Sequence, residues 1–240
     1  MYELRFEGWL TPFHLGVVQA FKQQGLFHEH TKVAGSSGGS LAGLIACSGL
    51  DQIEALAIMQ GLSSDQQFKK DIDLGMKKIM RDMISKSGLS EKDILSRCNG
   101  RLHVTVTRVG TDFDMIMSSY TSIEHLIDCV AASCFIPAYS SKRLSTSIEG
   151  MNGRFMDGGV WAFTPPLFNI KVSPFPATYV QKFLPDQTPD IALPADRYPI
   201  TKLMHWALFP PKDSNKLKIL HDEGYELASL WIDKNVVPLR

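Results

Sequence analysis

The apolar positions of the first fifty residues change period twice. Tyr2 to Phe6 (YELRF) alternates as a strand does, and Gly8 ends it. Behind Pro12, residues Phe13, Val17, Ala20 and Phe21 recur at helical spacing, and Gly25 supplies a stop. Val33 and Ala34 read as a short strand end. A glycine-rich turn comes next, and Leu41, Leu44 and Ile45 open a second helix. Strand, glycine turn and helix, taken twice, predict a βαβα start with parallel strands and right-handed crossovers.

Farther on, Asp51 to Leu62 reads as a helix with an Asp51/Glu54 capping box. Phe68 to Lys86 is amphipathic, with Ile72, Met76, Ile79, Met80 and Met83 on its apolar side, a stripe expected in a core rather than on a lipid-facing surface. Ser90 starts a short helix. Arg101 to Val109 alternates with period two and is a strand, and Met115 to Tyr120 is its partner across a turn holding Asp112 and Asp114. Ser122 caps a helix through Cys134, and Pro137 ends it. Arg154 to Met156 leads as a strand into Asp157-Gly158-Gly159, and Phe168 to Val172 is a further strand. Thr178 to Pro199, rich in Pro and Asp, reads as irregular surface. Helices over Ile200–Leu208 and Asn215–Lys234 close the chain. There is no internal repeat and no composition break, so residues 1–240 are expected to form one α/β domain.

Composition narrows the function classes. The formal net charge is zero over 240 residues, which argues against nucleic-acid partners and against electrostatic docking on anionic lipid. Cys47, Cys98, Cys129 and Cys134 form no C-x-x-C pair and are expected to be free buried thiols. The histidines are scattered, His14 reads as packing rather than a ligand, and no metal or other cofactor is expected. The first residues include Glu3, Arg5 and Glu7, unlike a secretory leader. Val33 to Leu50 is uncharged, but half of it is Gly or Ser, so no membrane span is expected there. The expectation is a cytoplasmic protein whose contact with a membrane or lipid droplet is peripheral.

The turn before the second helix carries candidate chemistry. Gly35-Ser36-Ser37-Gly38-Gly39 is a G-x-S-x-G between a strand and a helix, the order of a nucleophile elbow. Gly35 and Gly39 stand two positions either side of Ser37, whereas Ser36 and Ser40 lack that pair, so Ser37 is the candidate nucleophile. A serine needs a base. A later His205 or His221 with an acid would suit an α/β-hydrolase, but only 36 residues precede Ser37 and both histidines lie in amphipathic helices. Asp157 is the better candidate. Gly158 and Gly159 allow its carboxylate close to another turn, and burial would raise its basicity.

Several landmarks resemble one family. GSSGGSL (Gly35 to Leu41), GRLHVTVTRV (Gly100 to Val109), SCFIPAY (Ser133 to Tyr139), FMDGG (Phe155 to Gly159), IKVSPF (Ile170 to Phe175) and ALFPP (Ala207 to Pro211), with Gly224-Tyr225 after them, occur in the order found in patatin-like phospholipases. The resemblance is closest to the adipose triglyceride lipase and adiponutrin branch. It implies a three-layer fold with a central, mostly parallel sheet between helices. It implies a Ser37-Asp157 dyad without histidine, with Ser37 as nucleophile and Asp157 as proton acceptor. It implies a lipid substrate, an acylglycerol or phospholipid, cleaved through an acyl-serine intermediate.

Three departures from that family are visible. The family's oxyanion loop, G-x-G-x-x-G, is here Phe6-Glu7-Gly8-Trp9-Leu10-Thr11, and only Gly8 is kept. The expected oxyanion donors are the amides of Glu7, Gly8 and Trp9, with Gly38 from the elbow. Phe6 and Thr11 are expected to strain the loop if glycine conformations are required, which makes a weakly catalytic lipid- or partner-binding protein the alternative. Val160 to Pro165 lacks a polar Asn near the proline, and the chain ends without the longer C-terminal region with which relatives reach lipid droplets. Phe6, Trp9, Leu10 and Phe13 are candidates for lining acyl-chain access or touching lipid.

Overall fold

The βαβα start forms. β1 (Leu4–Phe6) and β2 (Val33–Gly35) pair in parallel across α1 (Thr11–Gln23), and α2 (Gly38–Ser48) leaves β2 directly. The computed structural model describes residues 2–6, 10–62, 68, 70–111, 114–159, 168–208 and 213–236. Within them come α3 (Gln52–Leu62), α4 (Ile72–Lys86), α5 (Glu91–Cys98), β3 (Leu102–Arg108), β4 (Asp114–Met117) and α6 (Ile123–Ser133). β5 (Phe155–Asp157), β6 (Ile170–Ser173), α7 (Ala177–Phe183), β7 (Ile191–Ala192), α8 (Ile200–Leu208) and α9 (Ser214–Asn235) complete the order. Polar caps set several helix starts. Asp51, Asp71, Ser90 and Ser122 accept from the amides of Glu54 (2.8 Å), Leu74 (3.1 Å), Asp93 (3.1 Å) and His125 (2.9 Å).

The strands form one mostly parallel sheet in the order β4–β3–β2–β1–β6–β7, flanked by helices. β4 runs antiparallel along one edge of β3. The other edge of β3 is shared. β2 occupies its first half, ending with Gly35 opposite Val104, and β5 occupies its second half in the antiparallel sense, with Asp157 opposite Val106. The ends of β2 and β5 therefore face each other across two residues of β3, about 7 Å along a strand.

The core confirms part of the apolar reading and corrects part of it. Met80 and Met83 are buried and Met76 packs against them, so the methionine stripe is core. Phe6, Leu10 and Phe13 are also buried, so they offer no exposed apolar face to a lipid surface; Trp9 lies outside the described residues. The segment Thr178 to Pro199 is not irregular. It holds most of α7, a short 3₁₀ turn (Pro185–Gln187) and β7, with Val180, Ile191, Leu193 and Tyr198 buried. Its prolines fall at the ends of these elements, where they are tolerated, so their density concealed short ordered pieces.

α9 returns across the molecule to pack on α1. A Cβ on Gly16 would stand 1.9 Å from the His221 carbonyl oxygen, and one on Gly224 2.1 Å from that of Phe13. Phe21 stacks on Trp231 beside this contact, with ring centroids 6.0 Å apart. All four cysteines are buried and free, and burial pushes the Cys47 and Cys129 thiols up to about 12. No helix among the described residues is long and apolar enough to cross a membrane.

Candidate active site

Ser37 sits at the junction of β2 and α2 with φ 56° and ψ −132°, a left-handed backbone that a residue with a Cβ adopts at a cost of about 1–3 kcal/mol. Neighbouring groups hold it there. Its amide donates to Ser133 Oγ (3.0 Å), and its carbonyl accepts from Ser40 Oγ (2.6 Å) and the Ser40 amide (2.9 Å). The turn is tight enough to exclude side chains. A Cβ on Gly35 would lie 2.4 Å from the Gly39 carbonyl oxygen, and one on Gly39 2.4 Å from that of Phe6. Gly38 is the first residue of α2, so its N–H has no acceptor within the helix and lies at the positive end of the helix dipole. Thr11 Oγ1 donates to the Gly38 carbonyl (3.0 Å), tying the start of α1 to the elbow.

Asp157 is the last residue of β5 rather than the first residue after it. Its amide donates to the Phe135 carbonyl (2.9 Å), and its carbonyl accepts from Thr107 Oγ1 (3.1 Å). Gly158 meets β3 so closely that a Cβ would stand 2.3 Å from the Thr105 carbonyl oxygen. The Gly159 amide donates to Asp157 Oδ1 (2.7 Å), which fixes the carboxylate plane. Neither residue of Gly158-Gly159 has positive φ. Space explains both glycines better than backbone freedom does, since a Cβ on Gly159 would crowd Asp157 Oδ1 at 3.1 Å.

Ser37 and Asp157 are each 4% exposed. Burial pushes the Asp157 carboxyl up to about 6 from an ordinary 3.8. The Gly159 amide and the Ser37 hydroxyl pull it the other way, and Asp114 adds an upward push. The hydroxyl is thus within electrostatic reach of the carboxylate, yet Ser37 Oγ and Asp157 Oδ2 have no partner at hydrogen-bond geometry among the described residues. The pair is close without a closed hydrogen bond. A carboxylate with a pKa near 6 is ionised at neutral pH and is a stronger base than one at 3.8.

Most of the residues named from sequence meet here. Ser37, Asp157, Gly35, Gly38, Gly39, Gly158 and Gly159 gather at the β2–β5 junction, while Glu7, Gly8, Trp9 and the segment Val160 to Pro165 lie outside the described residues. The strain expected at Phe6 and Thr11 is absent. Among described non-glycine residues only Ser37, Ala138 and Phe168 have positive φ, and Thr11 begins α1 with ordinary helical backbone. His14 is fully buried against the Phe6 ring, 4.9 Å between centroids. No histidine among the described residues bonds Ser37 Oγ, and His221 lies beside Asp222 on α9 at 3.4 Å. Sequence reasoning missed Ser133, Phe135, Thr107 and Thr11 as supports of the pair. SCFIPAY stood out as a landmark, but nothing in its spacing signalled contact with the elbow.

A serine on a strained strand-to-helix turn, with a buried carboxylate two residues farther along the same edge of β3, defines an α/β protein with an elbow-type turn. The chain belongs to the patatin-like phospholipase family, whose model matches residues 8–168. It is similar to omega-hydroxyceramide transacylase of Homo sapiens, 28% identical over 250 residues that cover 94% of this chain and 44% of that protein. It is also similar to patatin-like phospholipase domain-containing protein 2 of Mus musculus, 29% identical over 178 residues that cover 70% of this chain and 35% of that protein. The chain thus spans less than half the length of either relative. Among solved structures, VipD from Legionella pneumophila shares the fold, with a TM-score of 0.51 at 12% identity over 97% of this chain and 67% of that one.

Proposed function

We propose that this chain is a lipid acyl hydrolase or acyltransferase that works through Ser37 and Asp157. The observation that carries this reading is the meeting of β2 and β5 on one edge of β3, with Ser37 Oγ and Asp157 Oδ2 both buried and unpartnered among the described residues. Ser37 Oγ attacks the carbonyl carbon of a fatty-acyl ester as Asp157 takes the hydroxyl proton. The carbonyl oxygen becomes an oxyanion, for which the Gly38 amide at the start of α2 is a donor. The intermediate collapses, the ester C–O bond breaks, and Asp157 returns the proton to the leaving alcohol. Water, deprotonated by Asp157, then attacks the acyl-serine, the bond to Ser37 Oγ breaks, and Asp157 returns the proton to Ser37 Oγ as the fatty acid leaves. An alcohol in place of water gives transfer, as the name of the ceramide relative describes for that protein. The acceptor that reaches the acyl-serine decides between the two outcomes.

The 240 residues act as a single patatin-like unit, because β6 lies beside β1 and α9 packs back on α1 beyond the matched region. The protein meets its lipid from one side of a membrane or droplet. The test is labelling with a fluorophosphonate probe and peptide mapping on wild type, Ser37→Ala and Asp157→Asn, and then fatty-acid release from acylglycerol and phospholipid. Labelling at Ser37 that is lost in both folded variants supports the dyad. A folded wild type that resists the probe rejects it and favours a lipid-binding role.

A further inference from the structure

Ser133, the last residue of α6, lies against the elbow yet is no part of the dyad. Its hydroxyl is fully buried and makes two contacts. It accepts from the Ser37 amide (3.0 Å) and donates to the Thr105 carbonyl on β3 (2.7 Å). A hydroxyl has one proton, so the donation to Thr105 aims a lone pair at Ser37 N–H. Thr105 stands between Val104, which pairs with Gly35, and Val106, which pairs with Asp157. The same carbonyl is the atom nearest a Cβ on Gly158. Ser133 therefore fastens the elbow to β3 at the place where Asp157 arrives. Two residues on, the Phe135 carbonyl accepts from the Asp157 amide (2.9 Å). Between them, Cys134 Sγ lies 3.9 Å from Ser40 Oγ, the group that donates to the Ser37 carbonyl.

The segment Ser133 to Phe135 thus grips the backbone of the nucleophile at one end and of the base at the other. Without the hydroxyl, the Ser37 N–H is buried with no acceptor. The left-handed backbone at Ser37 then loses a main restraint, and a small rotation there swings Oγ away from Asp157. We propose that Ser133 is a positioning residue for this reaction, its hydroxyl locking the elbow in the orientation that aims Ser37 Oγ at Asp157. The inference rests on the Ser37–Asp157 reading above.

The experiment compares wild type with Ser133→Ala, Ser133→Thr and Ser133→Val. Fluorophosphonate labelling at Ser37 is measured as kinact and KI, beside turnover of a short soluble p-nitrophenyl ester and thermal melting. Thr and Val have nearly the same volume and differ in the hydroxyl. Loss of a hydrogen bond to a buried amide predicts that Ala and Val lower kinact by about 10- to 100-fold with KI within about 3-fold, and that Thr stays within about 5-fold of wild type. The pH midpoint of activity rises in Ala and Val, because a Ser37 hydroxyl swung away gives up its downward pull on the Asp157 carboxyl while the Gly159 contact stays. Equal rates for Thr and Val, or a Ser133→Ala protein that labels like wild type, overturn the positioning role while leaving the dyad standing. If Ser133→Ala fails to fold, the Thr–Val ratio decides. A cooperatively melting wild type that is not labelled at Ser37 removes the dyad reading, and the role of Ser133 with it.

Discussion

The α1–α9 contact and the Ser37–Asp157 junction are both built on glycines that let backbones approach closely, and they use that closeness differently. At the helix contact, Gly16 and Gly224 each face a carbonyl of the opposite helix, and apolar rings stack beside them. At the junction, Gly35, Gly39 and Gly158 make equally close approaches, but they bring together a left-handed serine and a carboxylate that burial makes more basic. There the approach holds a strained backbone and a buried carboxyl, both of which cost stability. The same residue type marks close helix packing in one region and a strained arrangement with the candidate dyad in the other, so the contact alone does not tell which. The groups placed at the contact do.

Variants can sharpen that contrast or break it. The largest effect is expected from Asp157→Asn, which should lower turnover by about 1,000-fold or more, as losing a general base that activates the nucleophile does. The same variant should be more stable than wild type at pH 8. The carboxyl titrates near 6 when folded, above its ordinary 3.8, so the folded state binds the proton more tightly. Stability from this group is full below about pH 4 and is lost as pH rises through about 6, by about 3 kcal/mol at pH 8. Denaturant unfolding at pH 4 and pH 8 checks the sign. An Asp157→Asn protein less stable than wild type at pH 8 would break the comparison.

Gly158→Ala comes next. Its Cβ would stand 2.3 Å from a β3 carbonyl oxygen, so β5 must shift and carry Asp157 with it. Turnover should fall by about 100-fold, as for a displacement of the order of 1 Å at the reacting groups. The pH profile of the wild type should show an acid limb. Activity needs the ionised carboxylate and should fall about tenfold per pH unit below about 6.

Gly16→Ala and Gly224→Ala should act the other way. Each forces α1 and α9 apart and should cost about 3 kcal/mol, seen as a Tm lower by roughly 6–12 °C. Turnover per folded molecule should stay within about twofold, since neither position touches the junction. If turnover collapsed with Tm, the two regions would be coupled rather than separate. The smallest effect is expected at Thr11. Thr11→Val removes the bond to the Gly38 carbonyl and should lower turnover by roughly fivefold. Thr11→Gly should bring no gain, because Thr11 already has ordinary helical backbone.

Much of this molecule is legible along the chain, because the relevant physics is local. Apolar period, capping residues and glycine turns act within about ten residues. They determine the βαβα start, the caps at Asp51, Ser90 and Ser122, the strand under Arg101 to Val109, and Ser37 as the serine of an elbow. Proline-rich segments are where local reading fails, as Thr178 to Pro199 illustrates: short elements there owe their order to buried contacts with the rest of the fold.

The tertiary structure decided the rest. Gly158 and Gly159 suggested an approach to some turn, but only the insertion of β5 beside the end of β2 makes that turn the elbow. Strand pairing between distant segments carries no local period, so no window of sequence contains it. Burial sets the basicity of Asp157, and burial belongs to the whole fold. The Ser133 hydroxyl reaches Ser37 across 96 residues of chain. The sequence by itself singled out Ser37 and Asp157 as the candidate pair. The fold fixes their distance, the proton affinity of the carboxylate and the hydroxyl that holds the elbow. Each of these depends on the groups packed around a residue in space rather than on its neighbours along the chain.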